Sequence, residues 1–172
     1  MLQPIHMPVH FLRMRPGNFP TIRLAQLAAL LQKSTHLFST ILELDNVVAV
    51  KKLFDVTAND YWHYHYVMDE LSSFRKKIIG KDMIDSVIIN TVVPFLFAYG
   101  LYHHEEKYKT KAIGWLESLT AESNAITKGF TQLNVSNASA FDSQALIELK
   151  TQYCDQKHCL KCSVGNAILK TS

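Results

Sequence analysis

The sequence predicts a mainly α protein, a single irregular domain over residues 1–172 with about six to eight helices. Three observations lead to this prediction. Apolar residues recur at helical spacing along most of the chain, and no stretch alternates convincingly as a strand does. The 172 residues are 48% apolar and 19% charged, which is typical of a globular protein with a core. No internal repeat or low-complexity tract is present.

The N-terminal segment, residues 1–18, is predicted to be an extended arm because four of the five prolines lie in the first twenty residues. Pro16-Gly17 is a turn signal, and Asn18 is placed to cap the helix that follows. That helix, TIRLAQLAALLQK, is apolar nearly all round. We therefore expect it to lie deep in the core.

The middle of the chain is less clear. STHLFSTILEL and VVAVKKLFDV have helical patterns, but their β-branched residues leave the assignment ambiguous. DYWHYHYVMDELSSFRKKI is predicted to be helical from Tyr61 until Gly80 ends it. An alternative fold keeps the other helices and places a small β-hairpin around residues 45–66.

A long apolar helix is expected to open at Lys81-Asp82 and to form the centre of the domain. Its apolar run from Val87 to Leu101 is too short to span a bilayer comfortably, so a buried core helix is predicted. Pro94 lies inside this run. Because proline cannot donate to the carbonyl of Asn90, we expect a kink there.

The C-terminal part predicts further helices at KYKTKAIGWLESLTAE, SNAITKGFTQL and VGNAILK. Ser139 begins another helix, because Asp142 three residues later completes a capping-box pattern. One apolar stripe recurs along that helix at every fourth residue: Phe141, Ala145, Leu149 and Tyr153. The helix with this stripe is therefore predicted to extend as far as the cysteines.

All three cysteines lie close together, at Cys154, Cys159 and Cys162. The last two have the spacing of ligands to one tetrahedral zinc ion. A four-cysteine cluster within one chain is excluded, so a distant histidine such as His65 would have to be the fourth ligand. A redox-active Cys159–Cys162 pair and structural thiols are the alternatives. We expect a partly buried corner over residues 154–165, with no disulfide.

Charge is distributed unevenly along the chain, whose formal net charge is +3. Residues 1–42 contain four cations and no acid. Three of the cations, Arg13, Arg15 and Arg23, surround the first turn, where arginine forks suit phosphate oxygens of a ligand or a nucleic acid. Structural arginines paired with carboxylates are the alternative. The uneven charge also suits an acidic partner or a solvated surface.

Two further stretches that contain histidine are candidate sites. His63 and His65 point about 200° apart on a helix, so we expect one to be buried and hydrogen-bonded and the other exposed. His103 and Glu106 could share a face as metal ligands or lie at a solvated helix end. No complete catalytic motif is present. The odd number of cysteines and the absence of a signal-peptide pattern predict a cytoplasmic protein.

Several stretches resemble the C-terminal half of an uncharacterised bacterial family, domain of unknown function 2851. They are FLRMRPGNFPTIRLAQLAALL, INTVVPFLFAYG and SQALIELKTQYCDQKHCLKCSVGNAIL. The matching positions are Arg13, Arg15, Pro16, Asn18, Arg23, Gln26, Trp62, His65, Asn90, Pro94, Gln144, Cys154, Cys159, Cys162 and Gly165. The resemblance implies longer members whose N-terminal half is similar to restriction-endonuclease-like cores, and it implies no established activity.

Two functions of different class follow as expectations. The first is a non-catalytic helical module that packs against or positions a partner domain, with its N-terminal arginines contacting nucleic acid or phosphate. The expected partner is that N-terminal half or another protein domain, and no membrane is expected. The second is a metal- or thiol-dependent enzyme domain centred on the three cysteines, with zinc as its cofactor.

Overall fold

The computed structural model describes residues 10–11 and 15–170. The predicted mainly α fold is confirmed: in these residues the regular structure is helical, with only isolated β-bridges besides. The chain divides into two compact units, Met1–Ser86 and Val87–Ser172, which are described in turn. Most of the predicted N-terminal arm lies outside the described residues, and Pro16–Asn18 forms a 3-10 turn.

The helices that begin in the first unit are α1 (Pro20–Lys33), α2 (Leu37–Glu43), α3 (Val47–Phe54), α4 (Asp60–His63) and α5 (Lys81–Val87). Both ambiguous segments are therefore helical, as α2 and α3. The Asn46 side chain caps α3 by accepting the Ala49 N–H at 3.0 Å. At the other end of α3, Lys33 Nζ donates to the carbonyls of Lys52 and Asp55 at 3.2 and 3.1 Å.

Helix α1 is not buried on all sides, and that prediction was wrong. Its buried face consists of Ile22, Gln26 and Leu30, which are 1%, 3% and 4% exposed. Another face is fully apolar yet open to solvent at Leu24, Leu27 and Leu31, with exposures of 58%, 47% and 52%. A helix that is apolar all round gives no sequence signal for which face is exposed.

Asn18 does not cap α1 as predicted. Phe19 occupies the N-cap position without a side-chain cap. The Asn18 Oδ1 atom instead accepts a hydrogen bond from Arg23 Nη2 at 2.6 Å. The guanidinium of Arg23 therefore binds the side-chain oxygen of Asn18 that a helix cap would use.

Residues 64–79 are not helical, which corrects the prediction of one helix from Tyr61 to Gly80. The helix α4 ends at His63. The chain then folds back on itself, with antiparallel bridges between His65 and Leu71 and between Thr57 and Ile78. From here on, "the arm" means residues 64–79 and not the N-terminal segment. Asp69 lies in it with a φ of 62°, a left-handed conformation that favours a turn over a helix.

The elements of the second unit are a π-helical stretch (Ile88–Val92), α6 (Val93–Tyr102), α7 (Glu106–Ser118), α8 (Ala125–Gln132), α9 (Ala140–Glu148), a second π-helical stretch (Leu149–Cys154), a 3-10 turn (Cys159–Lys161) and α10 (Ser163–Lys170). Pro94 lies in the first turn of α6, directly after the first π stretch. The helix thus changes its hydrogen-bonding pattern where proline cannot donate.

The helix over Lys81–Tyr102 has 22 residues, and 39% of its most apolar window is buried. By length and composition alone it is long enough to cross a membrane, a test that the core helix of a soluble protein also passes. Ile88 and Leu96 are fully buried, as predicted for a core helix. Phe95 and Leu101 are 65% and 59% exposed, so its other face is open.

Helices α6 and α7 meet at a tight corner. His104 follows α6 with a φ of 57°, and its N–H donates to the carbonyl of Leu101 at 3.3 Å. The next N–H, of Glu105, donates to the carbonyl of Gly100 at 2.9 Å, which completes a Schellman motif. A Cβ at Gly100 would lie 2.9 Å from the Glu105 carbonyl oxygen. The glycine therefore allows the close approach.

The predicted capping box of α9 is confirmed: Ser139 and Asp142 exchange the two expected hydrogen bonds. The predicted apolar stripe is not the buried face of this helix, because Phe141 is 41% exposed. The buried face instead contains Ser143, which is 0% exposed. Ser143 Oγ donates to Asn137 Oδ1 at 2.7 Å and accepts from the Glu122 N–H at 2.8 Å. These bonds satisfy a polar group that the apolar pattern could not place in a core.

Candidate functional site

The three cysteines lie at the corner between the second π stretch and α10. Cys154 ends the π stretch, Cys159 begins the 3-10 turn, and Cys162 directly precedes α10. All three are free thiols; Cys154 and Cys159 are exposed and Cys162 is buried. A Cβ at Gly165 would lie 3.1 Å from the Cys159 carbonyl carbon. Because Gly165 has no side chain, the turn can pack closely against α10.

The described residues contain no group of three or more His, Cys, Asp or Glu side chains placed to hold one metal ion. The zinc site predicted at Cys154, Cys159 and Cys162 therefore stays a prediction without geometric support. His65 was its suggested fourth ligand. The His65 Nδ1 atom lies 2.7 Å from the Tyr61 carbonyl oxygen, and its ring stacks on the Tyr61 ring at 3.9 Å.

The N-terminal arginines have different surroundings. Arg13 lies outside the described residues. Arg15 is exposed. Arg23 Nη1 donates to Gln26 Oε1 at 3.0 Å and its Nη2 to Asn18, while Gln26 Nε2 reaches the Ile78 carbonyl at 2.9 Å. Arg23 thus pairs with two neutral acceptors, which leaves its positive charge uncompensated by these contacts.

Lys77 is a buried cation that sequence patterns did not single out. It is 4% exposed, and its Nζ donates to the carbonyl oxygens of His63 and Arg75 at 3.4 and 3.1 Å. The same nitrogen lies 3.8 Å from the centre of the Tyr66 ring. Carbonyl dipoles and a π-face therefore stabilise the charge. In a run of basic residues no sequence signal marks this one as buried.

His63 is buried, as predicted for one of the pair, but its Nδ1 atom has no hydrogen-bond partner in the described part of the chain. Its ring lies edge-on to Phe74 of the arm at 5.7 Å.

The His103–Glu106 stretch forms the α6–α7 corner, where Glu105 accepts from Lys107 Nζ at 2.6 Å. That hydrogen bond raises the pKa of Lys107.

An apolar pocket of about 530 Å³ lies in the second unit. We call it the α8 pocket; its walls include Ile126, Gly129, Phe130, Leu133, Lys150 and Cys154. One of the three candidate thiols, that of Cys154, thus lines a pocket.

The sequence profile of the family described as "Protein of unknown function (DUF2851)" matches residues 2–125. The match includes the N-terminal arginines and Pro94, and it ends before the cysteines. No curated protein and no solved structure matches the chain. Because the matched residues make up well over half of the sequence, the chain belongs to the DUF2851 family of proteins of unknown function.

Proposed function

We propose that this chain is a non-catalytic helical module that packs against a partner protein through the exposed face of α1. The leucine face, defined as Leu24, Leu27 and Leu31, is the observation that carries the proposal. These residues follow each other at spacings of three and four and lie on one side of the helix. Such a seam suits packing against another helix.

Burial of the three leucines in a complex would contribute free energy of binding. Each is about half exposed, while the buried face of the same helix already anchors α1 to its own unit. Full burial of one leucine contributes roughly 1.5–3 kcal/mol relative to full exposure. Covering the leucine face would therefore contribute part of the binding free energy of a complex with a micromolar dissociation constant, which is about 8 kcal/mol in magnitude.

Charge indicates the chemistry of the partner. Residues 1–42 carry four cations and no acid, and Arg15 is exposed just before α1 begins. A partner helix with acidic residues beside an apolar stripe would complement this surface. We propose that this partner is the N-terminal half of longer family members, the domain that the sequence resemblance implies.

Sedimentation velocity tests the interaction, with that N-terminal half produced as a separate protein. We expect a 1:1 complex, and hydrogen exchange in the complex should slow at residues 20–33. Helix α9 lies in the other unit and serves as the internal control, because its exchange should not change. A complex that slows exchange in α9 but not in α1 contradicts the proposal, as does the absence of a complex at about 100 μM of each protein.

The proposed contact with nucleic acid or phosphate rests on Arg13, Arg15 and Arg23. The exposure of Arg15 supports it, as does the absence of a carboxylate from the contacts that Arg23 makes with other described residues. Binding to duplex DNA that weakens steeply as salt rises is expected. If Arg15→Gln binds as tightly as the unchanged protein at low salt, this part of the proposal is wrong. No observation favours the metal- or thiol-dependent enzyme.

A further inference from the structure

The α8 pocket is an open apolar groove with the volume of a small-molecule site. Its volume of about 530 Å³ lies in the range of roughly 300–1,000 Å³ over which such pockets occur. Its α8 wall offers only apolar side chains and a glycine. Phe130 is partly exposed, and Leu133 is 73% exposed, so large apolar groups remain open to solvent there. An elongated apolar ligand would cover them.

The opposite wall carries the polar groups. It is the π-helical stretch Leu149–Cys154, in which the N–H of Asp155 donates to the carbonyl of Lys150 at 2.8 Å, five residues back. Lys150 and Cys154 are four residues apart, so they lie on the same side of the helix, and both line the pocket. Single π turns occur frequently at functional sites. Lys150 is the only charged residue among the lining side chains.

We propose that the α8 pocket binds a linear fatty acid, with its chain against α8 and its carboxylate on Lys150 Nζ. The Lys150 ammonium already binds a carboxylate, that of Asp155. The two side chains of this pair are 42% and 50% exposed, and ion pairs this exposed contribute little to stability. A ligand carboxylate can therefore replace Asp155 at little cost.

Other ligand classes fit these groups less well. A cationic head would meet the ammonium of Lys150, and a neutral head would leave it with Asp155 and gain no charge-assisted bond. All groups of this site lie in the second unit, so the inference is independent of the leucine face and of the proposed partner.

The alkylation rates of the native cysteines measure whether the pocket is occupied. Cys154 lines the pocket, whereas Cys159 is equally a free, exposed thiol that does not line it. We expect decanoate at ten times its dissociation constant to slow alkylation of Cys154 by iodoacetamide about tenfold, since about a tenth of the sites stay empty. The rate at Cys159 should stay unchanged. Peptide mass spectrometry reads both rates in one sample.

Two variants and one matched control make the test specific. A Cβ at Gly129 would meet no atom within 4 Å, so Gly129→Leu adds a side chain to the pocket without a clash and should abolish protection. Gly114→Leu in α7 is the matched control, because its Cβ also meets nothing and it lies outside the pocket. Lys150→Gln should weaken decanoate about two- to fivefold and leave 1-decanol unaffected, since only the acid loses an ion pair and a half-exposed pair is weak.

Several results would overturn the proposal. One is the failure of decanoate to protect Cys154 up to its solubility limit, and another is equal protection of Cys159. Retained protection in Gly129→Leu would place the ligand elsewhere. Protection by 1-decanol that equals protection by decanoate would show that the carboxylate and Lys150 contribute nothing.

Discussion

Several single residues stabilise this structure by capping the ends of helices. Asn124 and Ser139 each form a capping box, with Thr127 and Asp142 as the returning partners. Each cap satisfies N–H groups that a helix start leaves unpaired, a contribution of about 1 kcal/mol. His104 ends α6 in the same local way, but its left-handed backbone costs energy for a residue with a Cβ.

Replacing His104 with glycine is therefore expected to stabilise the protein. Glycine adopts the φ of 57° without a steric penalty, so the free energy of unfolding should rise by up to about 1 kcal/mol. His103→Gly is the matched control. His103 has a φ of −89° and contacts the Tyr99 ring at 4.3 Å, so this change should destabilise. Urea denaturation measures both, and a less stable His104→Gly variant would contradict the assignment of strain.

At the residue scale the sequence predicted local patterns but not partners. The capping box at Ser139 could be predicted because both of its residues lie within four positions. The burial of Ser143 and Lys77 could not, because each has a hydrogen-bond partner far along the chain, Glu122 for Ser143 and His63 for Lys77. Clustering in sequence likewise could not show that Cys154 faces a pocket while Cys162 is buried.

At the scale of elements, the arm shows how tertiary contacts override a helical pattern. Thr21 Oγ1 of α1 donates to the Tyr66 carbonyl at 2.5 Å, and Gln26 reaches Ile78. Lys77 fastens the arm to the end of α4 through His63. These contacts hold residues 64–79 against their own unit as a folded-back segment. A single sequence shows its periodicity and not these long-range bonds.

Lys77→Met is expected to loosen the arm more than the rest of the first unit. The change removes the hydrogen bonds to two carbonyls and the contact with Tyr66, while it keeps most of the side-chain volume. We expect a loss of about 1–3 kcal/mol in the local opening free energy of the arm. Hydrogen exchange should accelerate at residues 64–79 and change less at α3. Unchanged exchange in the arm would show that Lys77 does not fasten it.

At the scale of the whole molecule, exposed apolar surface is present on both units. Leu24 of the first unit is 58% exposed, and in the second unit Phe95 and Ile168 are 65% and 61% exposed. Exposed apolar area of this kind marks sites of interaction when it is contiguous, as it is along the leucine face. The mainly α class was predictable from periodicity. The open face of α1 was not, because burial depends on what packs against a helix.

The most direct test of the proposed docking is the affinity for the N-terminal half measured with a matched pair of charge substitutions. Leu27→Glu lies on the leucine face, whereas Gln32→Glu adds the same charge to the same helix away from that face. Both sites are exposed, so neither change should unfold α1. Isothermal titration calorimetry is expected to show at least about a tenfold loss of affinity for Leu27→Glu, roughly 1.4 kcal/mol, and little change for Gln32→Glu. Equal affinities of the two variants would contradict docking through the leucine face.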